Sequence, residues 1–183
     1  LFNTRIIGNN KKINGDNGTI FISGYLENGK VFANLDESNG IDGNPTHYVS
    51  NCLFDEISFE NYKVGIKAKG FTVRSVIRNC QFSSNKDTYS VDISHCWNML
   101  FEKNTVINSI TRFSRFVDWT SIRNNAFEFY LSSDSYDSIG LLIEAGSFSS
   151  IISNNGFHGF KRALVMTGYK FNTVITSNHF EIN

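Results

Sequence analysis

The sequence predicts an all-β fold, a parallel solenoid of about seven coils with three short strands in each coil. The first observation is an Asn-rich phrase that recurs along the chain and ends each time in an apolar residue. The residues that close these phrases follow one another at intervals of 28, 24, 21, 30 and 23 positions; they are Phe54, Phe82, Val106, Phe127, Phe157 and Phe180. A period of this size is typical of solenoid proteins.

Two further observations define the other strands of each repeat. Short runs in which apolar residues alternate with other residues occur at 64–68, 91–93, 141–144 and 164–166. Each run is followed by an aromatic residue and then an aliphatic one, as in Trp97 with Leu100, and Trp119 with Ile122 is a fifth pair of this kind. Runs rich in Val, Ile and Phe that are divided by Asn, Gly and Ser indicate β-strands and turns.

Stacking of successive coils explains why these residues recur. Each strand would pair with the same strand of the next coil, so equivalent residues would lie about 4.8 Å apart. We therefore expect a column of Phe rings in the interior, which Trp97, Trp119 and Phe148 would also fill; a Trp119 ring that stacks on a sugar is the alternative. The Asn column would lie at a tight turn, where Asn tolerates a left-handed backbone and its amide can bond to the next Asn.

Composition narrows the class of protein. The 183 residues include 17 basic and 17 acidic ones, which argues against a nucleic-acid partner held by phosphate contacts. The sequence contains no run of 18 apolar residues, so it does not predict a membrane-spanning helix. We expect one domain, with irregular first coils and a protruding loop at 1–45 and regular coils at 46–183, as a fragment of a longer solenoid whose open edges would otherwise need caps.

The three cysteines are predicted to be structural. Cys52 and Cys80 have the same place in the phrase, so we expect them to be stacked, buried thiols. A disulfide between them would need a Cβ separation slightly shorter than stacked strands offer. Metal binding is disfavoured because neither a Cys-x-x-Cys motif nor a cluster of histidines accompanies them. No metal and no cofactor is therefore expected.

The repeat resembles the right-handed parallel β-helix of the pectin-lyase-like superfamily, which includes the tailspike depolymerases of bacteriophages. The resemblance rests on the Asn-x-x-Phe phrases and on the Ile-Ile-Gly-Asn opening at residues 6–9. It implies a bacterial polysaccharide (capsule or O-antigen) as partner, a homotrimer, and a place on the virion or outside the cell. The signature phrases of polygalacturonases and pectate lyases are absent, which disfavours enzymes specific for pectin.

Candidate catalytic residues come from the outward positions of the alternating strand. Asp92, Asp118 and Glu144 are predicted there, one in each coil, with Lys67 in an earlier coil. Carboxylates on adjacent coils would be about 5 Å apart, near the spacing of a retaining glycosidase, and those two coils apart about 9.6 Å, at the upper edge for an inverting one. Outward acids that are simply solvated are the alternative for each of these residues.

Candidate substrate-binding residues lie mainly in the loops. Extra length collects after the closing apolar residue of the phrase, and loops on one edge of a solenoid commonly build its binding face. The longest loop, 128–138, carries Tyr130, Asp134 and Tyr136, which suit a carbohydrate platform. Arg115 is a candidate for binding an anionic glycan, and Lys67 on the outward side of its strand is a further substrate-binding candidate.

Three functions follow from these observations. The first is recognition and hydrolysis of a bacterial surface polysaccharide. The second is a non-catalytic structural or receptor-binding rod. The third is a polysaccharide lyase, in which a cation would stabilise the carboxylate-derived anion and Lys67, with Arg74 or Arg78, is the nearest candidate.

Overall fold

The computed structural model of the chain describes residues 5–16, 19–23, 48–85, 87–130, 138–144 and 146–181, and every regular element in them is a β-strand. The strands are β1 (Arg5–Asn14), β2 (Thr19–Ser23), β3 (Tyr48–Ser50), β4 (Leu53–Glu60), β5 (Val64–Val73), β6 (Val76–Arg78), β7 (Gln81–Ser83), β8 (Tyr89–Trp97), β9 (Leu100–Glu102), β10 (Thr105–Ile107), β11 (Ile110–Asp118), β12 (Ser121–Arg123), β13 (Ala126–Glu128), β14 (Ile139–Ile143), β15 (Gly146–Phe148), β16 (Ile151–Ser153), β17 (Gly156–His158), β18 (Arg162–Met166), β19 (Lys170–Phe171), β20 (Val174–Thr176) and β21 (His179–Glu181). An all-β fold is therefore confirmed.

These strands form four parallel faces, which the chain visits in a fixed order. Face 1 contains the first half of β4 with β6, β9, β12, β16 and β20, and face 2 contains the second half of β4 with β7, β10, β13, β17 and β21. Face 3 contains β2, the first halves of β5, β8 and β11, then β14 and β18. Face 4 contains β3, the second halves of β5, β8 and β11, then β15 and β19.

Each strand pairs with the equivalent strand of the preceding and following repeats, an arrangement that fits a β-solenoid. The predicted three strands per repeat occur as β6–β8 and as β9–β11, where one long strand runs through faces 3 and 4. A register shift lies between the two faces, between Ser114 and Val117 in β11. The following repeat, β12–β15, has separate strands on all four faces. The first repeat is described only through β1–β3, because 24–47, including most of the predicted loop, lies outside the described residues.

Residues with a left-handed backbone mark two corners of every repeat. Between faces 1 and 2 the φ angle is positive at Glu56, Asn79, Lys103, Asn124, Asn154 and Ser177. Between faces 4 and 1 it is positive at Asn51, Arg74, Asn98, Trp119, Ser149 and Asn172. Asn is the commonest residue at these corners because its short polar side chain tolerates this conformation.

The interior contains the predicted column of aromatic rings. On face 2 the inward positions pair in register as Phe59, Phe82, Val106, Phe127, Phe157 and Phe180. The Phe59 and Phe82 rings stack with centroids 4.5 Å apart, and those of Phe127 and Phe157 stack at 4.7 Å. Phe82, Phe127 and Phe157 are buried, which confirms their prediction as core residues.

A ladder of asparagines follows the corner between faces 1 and 2. Asn104, Asn125, Asn155 and Asn178 lie in successive repeats; the first three are buried and Asn178 is half-buried. Each of the last three accepts the side-chain amide of the preceding Asn at its Oδ1 atom, at 2.9–3.1 Å. Each Nδ2 atom also donates to a backbone carbonyl of face 1, as Asn125 does to Phe101 at 3.0 Å. The predicted amide ladder is thus present. The prediction gave both roles to one Asn. In the structure they belong to two neighbouring residues, since Asn124 has the left-handed backbone and Asn125 belongs to the ladder.

The first Asn-rich phrase was assigned to the wrong corner. The register places Phe54 opposite Ile77 on face 1, whereas Phe82 lies opposite Phe59 on face 2. Cys52 and Cys80 therefore lie at different corners and are not stacked, although both are buried as predicted and neither is in a disulfide. The error has a local cause, because a left-handed Asn, a small buried residue and then Phe occur at both corners.

Replacement of glycine by alanine should have opposite effects on stability at two positions on different faces. A Cβ at Gly140 would lie 2.8 Å from the Ala163 carbonyl oxygen, whereas a Cβ at Gly156 would have nothing within 4 Å. We expect Gly140→Ala to lower the free energy of unfolding by about 1–3 kcal/mol through overpacking. Gly156→Ala should raise it by about 0.5–1 kcal/mol by restricting the unfolded chain. Urea denaturation of the two variants checks both signs, and a stable Gly140→Ala protein would contradict the close approach.

Candidate functional site

The predicted carboxylates Asp92 and Glu144 meet at one arginine. Asp92 lies on face 3, where it pairs in register with Lys67 on one side and Arg112 on the other. Arg112 Nε donates to Glu144 Oε2 at 2.7 Å, and its Nη1 atom lies 3.7 Å from Asp92 Oδ1. Its guanidinium also lies over the Tyr89 ring, 5.7 Å from the ring centre. The two acids are thus bridged by a cation that the sequence analysis did not assign to this site.

Asp118 does not belong to this cluster. It ends β11 on face 4, where it pairs with Trp97 on one side and Phe148 on the other. Glu144 lies opposite Ser114, because its N–H donates to the Phe113 carbonyl, and Asp118 is four residues beyond Ser114, about 13 Å of extended chain. The expectation that the three acids share one register is therefore wrong: Arg112, and not Asp118, follows Asp92.

The predicted substrate-binding residues are also spread over several faces. Lys67 is half-buried on face 3, and Arg115 lies at the corner between faces 3 and 4 with a φ angle of 69°. Tyr130 follows face 2, and its hydroxyl donates to Glu128 Oε2 at 2.5 Å. Tyr136 and Asp134 lie outside the described residues. The described members of the predicted set thus do not converge on one site.

A set of exposed and half-buried aromatic rings lies instead on the outer surface of face 4 and its corner with face 1. We call Trp97, Phe116, Trp119, Phe148 and Phe171 the aromatic face. Trp97 is 46% exposed, Trp119 is 62% exposed and Phe171 is 55% exposed. The Phe116 and Phe148 ring centroids are 5.7 Å apart, and Phe148 stacks on Phe171 at 5.5 Å with an angle of 8° between the planes. Rings on three consecutive repeats thus form one outward surface.

Trp97 and Trp119 were expected in the interior, and this expectation is wrong. Val117 points inward and is fully buried, so Asp118 on the same strand points outward, and Trp97 shares its register. Trp119 is exposed for a different reason. It follows Asp118 directly and is the left-handed residue at the corner between faces 4 and 1. The alternation could have been recognised from the sequence, since an acidic residue in a column with Trp97 and Phe148 indicates an outward column.

The buried polar and thiol groups do not supply an obvious nucleophile or metal site. Burial raises the pKa of Cys80 and of Cys96 to about 12 each, so both are thiols at neutral pH. Burial, and then the charge of Arg115, lowers the pKa of His95 to about 4. In the part of the chain that the structure describes, no group of three His, Cys, Asp or Glu residues is placed to bind a metal, and no helix is long and apolar enough to cross a membrane.

A ladder of charged side chains on face 1, separate from the Asp92–Arg112–Glu144 cluster, has a structural role. Asp55, Arg78, Glu102 and Arg123 pair in register with alternating sign. Arg78 Nη2 lies 2.7 Å from Asp55 Oδ2, and Arg123 Nε lies 3.1 Å from Glu102 Oε2. Hydrogen bonds from Arg78, and then from the Asn79 amide, hold the pKa of Asp55 below its usual value although burial opposes them. A slip of one repeat would place like charges together, so the ladder favours the observed register.

The Asp55 ion pair predicts a pH dependence of stability. Because the folded state lowers the pKa of Asp55, its contribution is fully present above the unfolded-state value of about 3.9 and is lost as the pH falls through the folded-state pKa. We expect Asp55→Asn to be less stable than the wild type at pH 7 and to lose less stability on acidification. Urea denaturation between pH 7 and pH 2.5 measures this difference. Parallel losses in the two proteins would show that another group causes the acid sensitivity.

Comparisons with protein families, with curated proteins and with solved structures found no match to this chain. A function is therefore inferred from the residues and their geometry, and from the resemblance of the repeat to pectin-lyase-like β-helices.

Proposed function

We propose that this chain is a right-handed parallel β-helix of about seven coils, of the bacteriophage-tailspike kind, that recognises a bacterial surface polysaccharide. The parallel register of the four faces and the Asn-rich repeat support the fold. The resemblance adds a homotrimer and a virion or extracellular location to the proposal. The observation that carries the recognition function is the aromatic face.

The chemistry of the aromatic face suits a sugar chain. Exposed apolar rings are costly to solvate, and a contiguous group of them marks a binding surface. A pyranose ring has a face of C–H groups that packs on an aromatic ring, while its hydroxyls at the edge need polar partners. The rings of the aromatic face follow the stacking direction of the strands, so a linear polysaccharide can contact several repeats at once.

Intrinsic fluorescence tests this function directly. The chain has two tryptophans, and both belong to the aromatic face. Titration with a panel of purified capsular and O-antigen polysaccharides should change the tryptophan emission for at least one of them. Trp119→Ala should weaken that binding about tenfold or more, as expected for a truncated aromatic anchor.

The matched control is Tyr130→Ala, since Tyr130 is as exposed as Trp119 but lies beyond face 2. This variant should bind like the wild type. Equal affinities of the Trp119→Ala protein and the wild type would exclude the aromatic face as the binding surface.

Hydrolysis of the bound polysaccharide is the second candidate, and the Asp92–Arg112–Glu144 cluster favours it. The acids come from repeats on either side of Arg112, and both contact its planar guanidinium, so the contacting oxygens are no more than about 9 Å apart. This limit is compatible with the separation in inverting glycosidases. The guanidinium, however, lies between the carboxylates, where an attacking water would be needed. Catalysis at this site therefore requires Arg112 to move.

Product analysis separates the candidates. New reducing ends indicate hydrolysis, ultraviolet absorbance of an unsaturated sugar indicates elimination, and fluorescence changes without products indicate a non-catalytic rod. If hydrolysis is found, Asp92→Asn and Glu144→Gln should each abolish it, with Glu128→Gln as the control. Full activity in both variants would exclude the cluster, and loss in Asp118→Asn alone would place the chemistry on face 4.

A further inference from the structure

The buried oxygen of Asp118 is the feature that neither the core nor the ion pairs explain. Its Oδ1 atom is buried and accepts no hydrogen bond from the described residues. Leaving a buried carboxyl oxygen without a partner costs free energy, because the oxygen loses its hydrogen bonds to water. The core gains nothing from this arrangement, because Asp118 points outward between Trp97 and Phe148.

The surroundings of Asp118 are aromatic and carry no other charge in the same column. The positions in register with it on face 4 are Ser50, Val73, Trp97, Phe148 and Phe171. Burial raises the pKa of Asp118, and the backbone N–H of Trp119 opposes part of this rise. The side chain is thus a hydrogen-bonding group in register with aromatic residues on both sides.

We propose that Asp118 is the polar anchor of the aromatic face and hydrogen-bonds a hydroxyl of an uncharged pyranose that packs on Trp97 or Trp119. This inference rests on the proposed polysaccharide recognition and specifies the class of sugar. The Asp118 side chain is only half-buried, so its carboxyl can turn toward a bound sugar and accept a hydrogen bond from a hydroxyl, which gives the oxygen that is now buried a partner. The carboxylate of a uronic acid at the same place would bring two acids together. The anchored residue of the glycan is therefore neutral, and the role of Asp118 is binding and not proton transfer.

Two substitutions at Asp118 separate hydrogen bonding from shape. Asp118→Asn keeps the size and an oxygen acceptor, and it should bind a neutral O-antigen polysaccharide within about threefold of the wild type. Asp118→Leu keeps the approximate volume but removes every hydrogen bond, so its affinity should fall about tenfold. Fluorescence of the tryptophans measures both affinities, and the urea midpoint of each variant checks that it is folded.

The charge of the ligand provides a readout that a merely structural role would not change. The neutral polysaccharide is compared with the same polymer after its primary alcohols have been oxidised to carboxylates. We expect the wild type to bind the neutral polymer more tightly, and Asp118→Asn to reduce this preference. The control is Glu128→Gln, which should retain the full preference because Glu128 lies on face 2, away from the aromatic face.

The outcomes distinguish this inference from the proposed function. If the wild type binds polysaccharide, Trp119→Ala weakens binding and Asp118→Leu does not, the recognition function is supported and the anchor is wrong. Preferential binding of the oxidised polymer by the wild type also overturns the anchor. If no polysaccharide changes the tryptophan emission, the proposed function fails and the inference fails with it.

Discussion

Replacement of Asn125 by alanine should lower the free energy of unfolding by about 4 kcal/mol, one of the largest effects of any single change in the chain. The Asn125 side chain accepts hydrogen bonds from the Asn104 backbone N–H at 2.9 Å and from the Asn104 amide at 3.1 Å. It also donates to the Phe101 carbonyl at 3.0 Å and to Asn155 Oδ1 at 2.9 Å. Truncation removes all four bonds and leaves the buried Asn104 N–H without its acceptor, whereas Asn155 Oδ1 keeps the Asn125 N–H and the Asn104 amide keeps the Ile77 carbonyl.

Two further variants make the test specific. Asn125→Asp keeps the size of the side chain but places a second acceptor oxygen against Asn155 Oδ1, so it should be at least as destabilising at neutral pH. Asn124→Gly changes the neighbouring corner residue, which is exposed and has a φ angle of 58° that glycine adopts freely. It should change stability by less than about 1 kcal/mol. Urea denaturation compares the three variants, and a loss below 1 kcal/mol in Asn125→Ala would show that the ladder is dispensable.

The ladder also shows how far the sequence alone could predict the fold. The period, the strand type and the buried Phe column follow from local patterns that repeat, because a stacked coil forces equivalent residues into the same environment. The position of Phe54 did not follow. Two corners of the repeat use the same short phrase, and only the strand register shows that Phe54 belongs with Ile77. Local sequence rules cannot distinguish two corners with the same backbone conformation.

The site was harder to predict than the fold for a related reason. Outward residues are less restricted than inward ones, so the repeat does not specify which acids face each other. Arg112 lies between Asp92 and Glu144, and Asp118 lies on another face. Trp97 and Trp119 were assigned to the core with Phe148, and a sugar-stacking Trp119 was only the alternative. In these parallel sheets, the direction of a ring depends on its place in the strand alternation and not on its hydrophobicity.

Replacement of Phe127 by alanine should be about as destabilising as loss of the ladder, with a decrease of about 3–5 kcal/mol in the free energy of unfolding. The ring is fully buried and stacks on Phe157 with an angle of 6° between the planes. Its neighbour in the preceding repeat is Val106, so the column has no second ring there to close the cavity. The loss therefore combines the transfer free energy of the ring with the cost of an unfilled space.

Phe171→Ala is the matched control, because Phe171 stacks on Phe148 with nearly the same geometry, 5.5 Å and 8°, but on the outside of face 4. If burial determines the effect, this variant should lose less than about 1.5 kcal/mol, the value of an aromatic pair alone. Urea denaturation of both variants gives the comparison. Equal losses would mean that ring stacking, and not removal of the Phe127 ring from water, stabilises the columns, and the outward aromatic face would then belong to the folded framework as much as the inward one does.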